Sequence, residues 1–137
     1  KIVSEKDFEN IIVSHNGYQN RYGYIHERSI KFIKKEKIFL GIDNLIKNKK
    51  ASNISYGIRF HIYPGIKIVK TQNFQSILLS LKNGEGWKFS CNNKEVLIEK
   101  GIYLGNKNKV TENENIYIPG MTNGENQIIE WSFEKIS

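Results

Sequence analysis

The chain has little of several residues that mark common protein classes. Its 137 residues include one cysteine, Cys91, so no internal disulfide forms and a disulfide-stapled scaffold is excluded. Two prolines and eleven glycines exclude collagen-like and linker-like chains. No apolar run approaches the roughly 20 residues that cross a bilayer, so no transmembrane segment is expected. The first ten residues are charged and do not resemble a secretion signal, so they leave the localisation unknown.

The rest of the composition is that of a globular chain with a sizeable core. Hydrophobic residues make up 39% and aromatic residues 12% of the sequence, which excludes an intrinsically disordered chain. At this length we expect residues 1–137 to form a single domain.

The charge is basic, at +7, from 21 basic and 14 acidic residues. This balance favours an acidic partner such as an acidic polysaccharide, although lysines scattered over a surface also occur without any specific partner. Nucleic acid is disfavoured, because the lysines concentrate in predicted turns and are not interleaved with aromatic residues on one face. Only three basic residues are arginines, which are candidates for bidentate contacts to a carboxylate or a sulfate.

Short β-branched and aromatic runs separated by polar turns dominate the chain. They predict an all-β fold of ten or more strands, an antiparallel sandwich or barrel. Only the first ten residues have room for a short helix, and the polar residues 44–55 predict a surface loop. The predicted strands are Ile11–Ser14, Ile25–Ile33, Ile38–Asp43, Ile58–Tyr63, Ile66–Lys70, Ser76–Leu81, Trp87–Cys91, Glu95–Glu99, Ile102–Leu104, Asn115–Ile118 and Gln127–Phe133.

Three residues of metal-binding type, His26, Asp43 and His61, lie on three successive predicted strands. The first two strands form a hairpin around the polar residues 34–37. If the turn centres on its first two residues, His26 lies directly opposite Asp43. If the loop is two residues longer, Arg28 takes that place and His26 becomes the diagonal neighbour. In either register His26 and Asp43 share one face of the sheet.

Imidazole and carboxylate groups are zinc ligands, and a site with three protein ligands leaves a fourth position open. We therefore predict zinc bound by His26, Asp43 and His61. The same residues are also compatible with a hydrogen-bonded surface network, and the spacing alone leaves both interpretations open.

Other polar residues accompany these strands. Tyr24 and Tyr63 share faces with the two histidines and are candidates for a proton donor or a sugar contact, or for ordinary packing. Arg28 and Arg59 each lie two residues from a histidine. They are candidates to bind acidic sugar groups or to orient the metal ligands. The remaining histidine, His15, is expected to cap or pack the turn that follows it.

The two tryptophans, Trp87 and Trp131, lie inside strong strand patterns and are predicted to be core residues. Cys91 is predicted to be a small buried hydrophobe. No serine–histidine–acid set, phosphate loop or dinucleotide fingerprint is present.

In order along the chain, several motifs resemble the C-terminal sheet domain of heparinase II/III-like proteins. The resemblance covers residues from about 13 to 133, and its most specific part is Arg59–Gly65. The motifs are His15-Asn16-Gly17-Tyr18, Gly23-Tyr24-Ile25-His26-Glu27-Arg28, Gly41-Ile42-Asp43, Arg59-Phe60-His61-Ile62-Tyr63-Pro64-Gly65, Gly86-Trp87-Lys88-Phe89 and Ile129-Glu130-Trp131.

The resemblance implies an antiparallel β-sandwich that full-length members join to an N-terminal α/α-toroid, which this chain lacks. Such proteins are lyases that cleave uronate-containing polysaccharides, such as heparin, heparan sulfate or alginate, by β-elimination. Several members hold zinc with two histidines and an aspartate, which correspond here to His26, Asp43 and His61. The resemblance also implies a periplasmic or cell-envelope location. Much of the catalytic machinery lies on the toroid, so the isolated chain is expected to have little or no activity.

One position departs from the family pattern. Some members have a histidine two residues before the first metal-binding histidine, where this chain has Tyr24. The departure implies altered chemistry, or that Tyr24 performs part of the work of that histidine.

Three alternatives remain open. The chain can be a non-catalytic module that binds acidic glycan through lysine and arginine. It can be a cupin-like metal barrel, although Glu27 has the wrong parity to supply a further ligand. It can also be a structural domain without a working metal site.

Overall fold

The structure is a computed structural model that describes residues 1–48, 50–73, 75–92, 94–105, 107 and 109–137. The described residues form eleven strands and one short helix, and no helix among them is long and apolar enough to cross a membrane. The elements are β1 (Ile2–Ser4), β2 (Phe8–His15), α1 (Gln19–Tyr22), β3 (Tyr24–Ile33), β4 (Ile38–Lys47), β5 (Ser55–His61), β6 (Lys67–Lys70), β7 (Ser76–Ser80), β8 (Gly86–Cys91), β9 (Leu97–Tyr103), β10 (Thr111–Met121) and β11 (Gln127–Lys135). The predicted fold class, an all-β antiparallel sandwich of ten or more strands, is confirmed.

The chain divides into two compact units. The first unit comprises Lys1–Tyr56 and Gly120–Glu134. Its strands lie in the order β1-β2-β3-β4-β11, and each neighbouring pair is antiparallel. The prediction that residues 1–137 form one domain stays a prediction.

The second unit comprises Gly57–Pro119 and Lys135–Ser137. It contains the antiparallel series β6-β7-β8 and most of a three-stranded sheet in the order β5-β10-β9. Its interior is aliphatic and aromatic, and the rings of Phe60 and Phe89 lie 5.1 Å apart. Side chains in this unit with no exposed surface are Ile77, Phe89, Val96, Ile116 and Ile118.

Several predicted boundaries are wrong, and neighbouring strands explain why. The predicted loop at residues 44–55 begins too early, because β3 continues to pair with β4 as far as Lys47. The first ten residues form β1 and part of β2, and the helix lies instead at Gln19–Tyr22. The two strands predicted on either side of Gly101 are one strand, because Gly101 pairs in register with Asn113.

The predicted core residues fare differently. Trp131 and Cys91 are buried, as predicted. Trp87 is only half-buried, and its indole nitrogen donates to the Glu85 carboxylate at 3.1 Å. The prediction that Trp87 is a core residue is therefore wrong, because its ring lies where a surface carboxylate can reach it.

The Trp131 ring packs against β4 at a position where Gly41 has no side chain. The two residues face each other in the β4–β11 register. A Cβ atom at Gly41 would overlap the indole ring of Trp131. The ring therefore occupies the space that a side chain at residue 41 would need.

We predict that Gly41→Ala lowers the free energy of unfolding by about 3 kcal/mol, because overpacking a filled site costs roughly 1–3 kcal/mol and displaces the Trp131 ring. Urea unfolding measures the effect. Gly17→Ala is the control, since a Cβ there makes an ordinary 3.4 Å contact with His15. Equal stability of the two variants would contradict the packing described.

Candidate functional site

The most deeply buried charged group of the first unit is the Asp43 carboxylate, whose residue is 1% exposed. Its Oδ1 accepts hydrogen bonds from His26 Nε2 at 2.7 Å and from Arg28 Nε at 2.8 Å. Its Oδ2 accepts from Arg28 Nη2 at 3.0 Å and from Trp131 Nε1 at 2.8 Å. We call these four residues the Asp43 cluster. Every carboxylate oxygen in it has two N–H partners.

Strand register explains why these residues meet. Arg28 lies directly opposite Asp43, and His26 is its diagonal neighbour, so the longer of the two predicted loops is the one that forms. On the other side of β4, Trp131 is paired with Gly41 and lies diagonal to Asp43. Alternate residues of three adjacent strands thus converge on one face.

The cluster keeps Asp43 ionised. Burial raises the pKa of its carboxyl, but hydrogen bonds from His26, Arg28 and Trp131 and the charge of Arg28 outweigh burial, so the pKa lies below its ordinary value. An ionised carboxylate has no proton to donate. His26 therefore carries a hydrogen on Nε2 in this arrangement.

His15 extends this network to the surface. It lies directly opposite His26 in the β2–β3 register, and its Nε2 is 3.2 Å from His26 Nδ1. The Gly17 backbone N–H lies 3.4 Å from His15 Nδ1, which is the turn contact that the sequence predicts. The contact between the two histidines was missed. It depends on the register of β2 against β3, which places the two histidines directly opposite each other.

The second predicted histidine, His61, lies in the second unit. Its Nδ1 is 3.1 Å from Oδ1 of Asn115, a residue that is 5% exposed. The Asn115 amide donates through Nδ2 to Glu99 Oε1 at 3.3 Å, so its oxygen is the group that faces His61. His61 therefore carries a hydrogen on Nδ1, and its Nε2 is the ring nitrogen that takes no part in this contact.

Arg59 fixes the far end of this second network. Its Nε donates to Glu99 Oε1 at 2.6 Å. The hydrogen bond from Arg59 lowers the pKa of the Glu99 carboxyl, and the same contact raises the pKa of Arg59. Asn113, Asn115 and Glu99 were not among the sequence candidates. The only sequence signal for these three residues is that all have odd numbers on paired strands, which places their side chains on one face of the sheet.

The two candidate tyrosines have opposite environments. Tyr63 is exposed at the end of β5, whereas Tyr24 is 1% exposed. Among the described residues the buried Tyr24 hydroxyl has no hydrogen-bond partner. The catalytic role of Tyr24 and the substrate roles of Arg28, Arg59 and Tyr63 stay predictions.

The donor chemistry suits a metal only in part. His26 and Asp43 are adjacent, but both Asp43 oxygens are occupied by N–H donors, one of them a cationic guanidinium. Within either unit, no group of three or more histidine, cysteine, aspartate or glutamate side chains among the described residues is arranged to hold a metal ion. Zinc bound by His26, Asp43 and His61 therefore stays a prediction.

Comparison with known proteins places the chain in a family. The family model described as "Heparinase II/III-like, C-terminal" matches residues 1–132. The chain belongs to the heparinase II/III-like C-terminal family. The resemblance predicted from the sequence is confirmed. No curated protein gives a significant match to this heparinase II/III-like chain.

Solved structures agree on the fold of this heparinase II/III-like domain. Heparan sulfate lyase HepC from Pedobacter heparinus matches with a TM-score of 0.83 and 16% identity, over 100% of this chain and 21% of that protein. A heparinase III, the BT4657 gene product, matches with a TM-score of 0.78 and 15% identity, over 96% and 20%. Another heparinase III matches with a TM-score of 0.77 and 12% identity, over 99% and 21%.

These identities establish the fold alone. The chain spans about a fifth of the length of the proteins that it matches.

We predict that Asp43→Asn lowers the free energy of unfolding by about 3 kcal/mol. This is the low end of the cost of breaking a buried ion pair, because the Arg28 side chain keeps 28% of its surface exposed. Urea unfolding at neutral pH measures it. Asp7→Asn, at the chain's other aspartate, is an exposed control and should change little.

Asp43 also predicts a pH dependence. Because its pKa is lower in the folded chain, the unfolded chain takes up the proton at the higher pH. The stabilisation is complete above about pH 4 and is lost as the pH falls through the folded pKa. Unfolding curves between about pH 5 and pH 2 should show a smaller loss for Asp43→Asn than for Asp7→Asn. Parallel curves for the two variants would contradict this assignment.

For the buried hydroxyl, we predict that Tyr24→Phe leaves stability unchanged or raises it by about 1 kcal/mol, since an unpaired buried polar group costs roughly 1–3 kcal/mol. Thermal unfolding measures the effect, with the exposed Tyr18→Phe as control. A loss of more than about 1 kcal/mol for Tyr24→Phe alone would show that the hydroxyl has a partner in solution.

Proposed function

We propose that this chain is the C-terminal sandwich domain of a polysaccharide lyase that cleaves uronate-containing acidic polysaccharide by β-elimination. The observation that carries the proposal is the family match over residues 1–132. Heparan sulfate lyase HepC and the heparinases III, whose folds it shares, support a glycosaminoglycan substrate. The basic charge of +7 suits an acidic substrate, glycosaminoglycan or alginate. The proposed setting is the periplasm or cell envelope, with an N-terminal toroid as the partner domain.

β-Elimination needs three functions. One group neutralises the uronate carboxylate, a base removes the C5 proton, and an acid protonates the departing glycosidic oxygen. We assign to this chain a share of the first and third functions and leave the remainder to the toroid. Arg59 and Tyr63 are the proposed sugar contacts, because both are exposed.

Arg28 and Tyr24 have less direct roles in the proposal. Arg28 spends two of its donors on Asp43, so it acts on the substrate only through its remaining N–H groups. Tyr24 is the proposed proton donor. At 1% exposure its hydroxyl reaches a substrate only if the side chains that cover it move.

We further propose zinc as a cofactor of His26, Asp43 and His61, which would supply a Lewis acid or a structural centre when bound. The hydrogen bond between His61 and Asn115 supports this role. Metal-binding histidines donate their second ring N–H to an oxygen and coordinate through the other nitrogen. His61 donates from Nδ1 to Asn115, so Nε2 would be its coordinating nitrogen. Binding at Asp43 requires the carboxylate to exchange N–H donors for the metal, and binding at His26 requires a ring nitrogen that now faces Asp43 or His15.

A second candidate is a glycan-binding module without catalytic function. The side chains of Tyr63 and Arg59 favour this alternative, since both are exposed and can contact a glycan without the help of a buried group. This alternative predicts binding of acidic glycan that survives chelation.

The lyase proposal is tested on the full natural gene product and on chain 1–137 alone, each mixed with heparan sulfate and with alginate. Ultraviolet absorbance records the unsaturated uronate that β-elimination produces. We expect turnover by the full product and little or none by the isolated chain. Chain cleavage without an absorbance rise, or robust turnover by the isolated chain, would contradict the proposal.

The metal is tested by elemental analysis of the purified chain. We expect one zinc per chain, and at least a tenfold loss of zinc affinity in His61→Ala and in Asp43→Asn. Asp7→Asn is the matched control. Equal zinc content in all four proteins would show that the metal lies elsewhere, and no zinc in any of them would refute the site.

A further inference from the structure

Three asparagines of the chain are each followed directly by a glycine. In such a pair the side-chain amide carbon lies only a few bonds from the next backbone nitrogen, and glycine has no Cβ to obstruct their approach. All three asparagines are exposed, and each pair lies between two elements of secondary structure. The pairs are Asn16-Gly17, Asn83-Gly84 and Asn123-Gly124. The same local chemistry is open to each pair, so the fold decides which of them reacts.

The Asn83-Gly84 pair is held at both of the atoms that would have to meet. Asn83 Oδ1 accepts a hydrogen bond from the Glu85 backbone N–H at 3.0 Å, which fixes the plane of the side-chain amide. The Gly84 nitrogen donates its hydrogen to the Leu81 carbonyl at 3.1 Å. Rearrangement at this pair therefore requires two hydrogen bonds of the hairpin turn to break.

The side chain of Asn123 is held by two donors. Its Oδ1 accepts from the Glu125 backbone N–H at 3.1 Å and from Gln127 Nε2 at 2.9 Å. A typical hydrogen bond that must break before a reaction slows that reaction roughly two- to tenfold. Asn83 and Asn123 are therefore both protected by the turns in which they lie.

Asn16 has none of this protection. Its side chain is exposed and, within the part of the chain that the structure describes, has no hydrogen-bond partner. The Gly17 N–H reaches His15 Nδ1 at 3.4 Å, which is long for a hydrogen bond and holds the nitrogen weakly. The amide carbon of Asn16 and the nitrogen of Gly17 are therefore free to approach each other.

We propose that Asn16 is a site of spontaneous covalent modification, at which the folded chain converts this asparagine to aspartate and isoaspartate. The Gly17 backbone nitrogen attacks Cγ of Asn16. A new C–N bond closes a five-membered succinimide ring, and the bond from Cγ to Nδ2 breaks. The side-chain nitrogen leaves as ammonia and carries away the hydrogen of the Gly17 nitrogen. Water then opens the ring, which gives aspartate if the new bond breaks and isoaspartate if the original peptide bond breaks.

Both products change the turn between β2 and α1. Each adds a carboxylate, so the net charge of the chain falls by one from +7. Isoaspartate also carries the backbone through its side-chain carbon, which inserts one methylene into a turn closed by the 3.0 Å bond from the Gln19 N–H to the Asn16 carbonyl. This chemistry needs no substrate and is independent of the proposed lyase function.

The test incubates chain 1–137 at neutral pH and physiological temperature and follows its peptides by mass spectrometry, because each conversion adds about one dalton. We expect Asn16 to convert at least about fivefold faster than Asn83 or Asn123 in the folded chain. In guanidinium chloride the turns are lost, and the three rates should agree within about threefold. This second sample separates the effect of the fold from the effect of the dipeptide sequence.

The matched variant is Gly17→Ala, whose Cβ obstructs the attacking nitrogen. It should slow conversion at Asn16 at least about tenfold and leave the other two sites unchanged. The added Cβ makes an ordinary 3.4 Å contact with His15, so the variant is expected to fold, and its thermal midpoint checks this. If the midpoint falls, the ratio of the three rates in the parent chain still decides the matter.

Three outcomes would overturn the proposal. The first is equal rates at the three pairs in the folded chain, and the second is faster conversion at Asn83 or Asn123. The third is conversion at Asn16 that continues unchanged in Gly17→Ala, because the reaction would then not pass through the succinimide.

Discussion

The first unit depends on the electrostatics of one buried carboxylate. An isolated ionised group excluded from water costs several kcal/mol, and Asp43 avoids that cost because four N–H bonds surround it. Three strands supply the donors, so the carboxylate is satisfied only when β3, β4 and β11 are in their observed register. A slip of one residue would turn Asp43 to the opposite face. The ion pair thus selects the register, as well as contributing to stability.

The second unit uses the same chemistry near solvent, with a different result. The Arg59–Glu99 pair is exposed, and such pairs add little to stability. Its effect is orientation: Glu99 orients the Asn115 amide, and the amide oxygen accepts a hydrogen bond from His61 Nδ1. One network therefore stabilises buried strands, and the other presents groups in a defined state on a surface.

Side-chain parity made the fold class and half of the candidate site predictable. It placed His26 and Asp43 on one face and His61 on the exposed side of its strand. Register was harder, because it depends on the turn at residues 34–37. There Lys37 adopts a left-handed backbone with φ of 56°. No glycine or asparagine marks that position, so the sequence left two registers open.

Partners from distant strands were beyond sequence reasoning. Trp131 contacts Asp43 only because β11 pairs beside β4. Nothing in the sequence around either residue indicates that the two are partners. The sequence predicts a strand break around Gly101, because the packing of this glycine against two amides depends on a partner strand.

The hydrogen bonds from the Asn16-Gly17 turn to Asp43 all run in one direction. The Gly17 amide points at His15, His15 at His26, and His26 at the carboxylate. Each imidazole accepts on one nitrogen and donates from the other, so no single link can reverse alone. The turn at the rim and the carboxylate in the interior are therefore joined by three consecutive hydrogen bonds, so a displacement of the outer loop would also disturb the contact between His15 and His26.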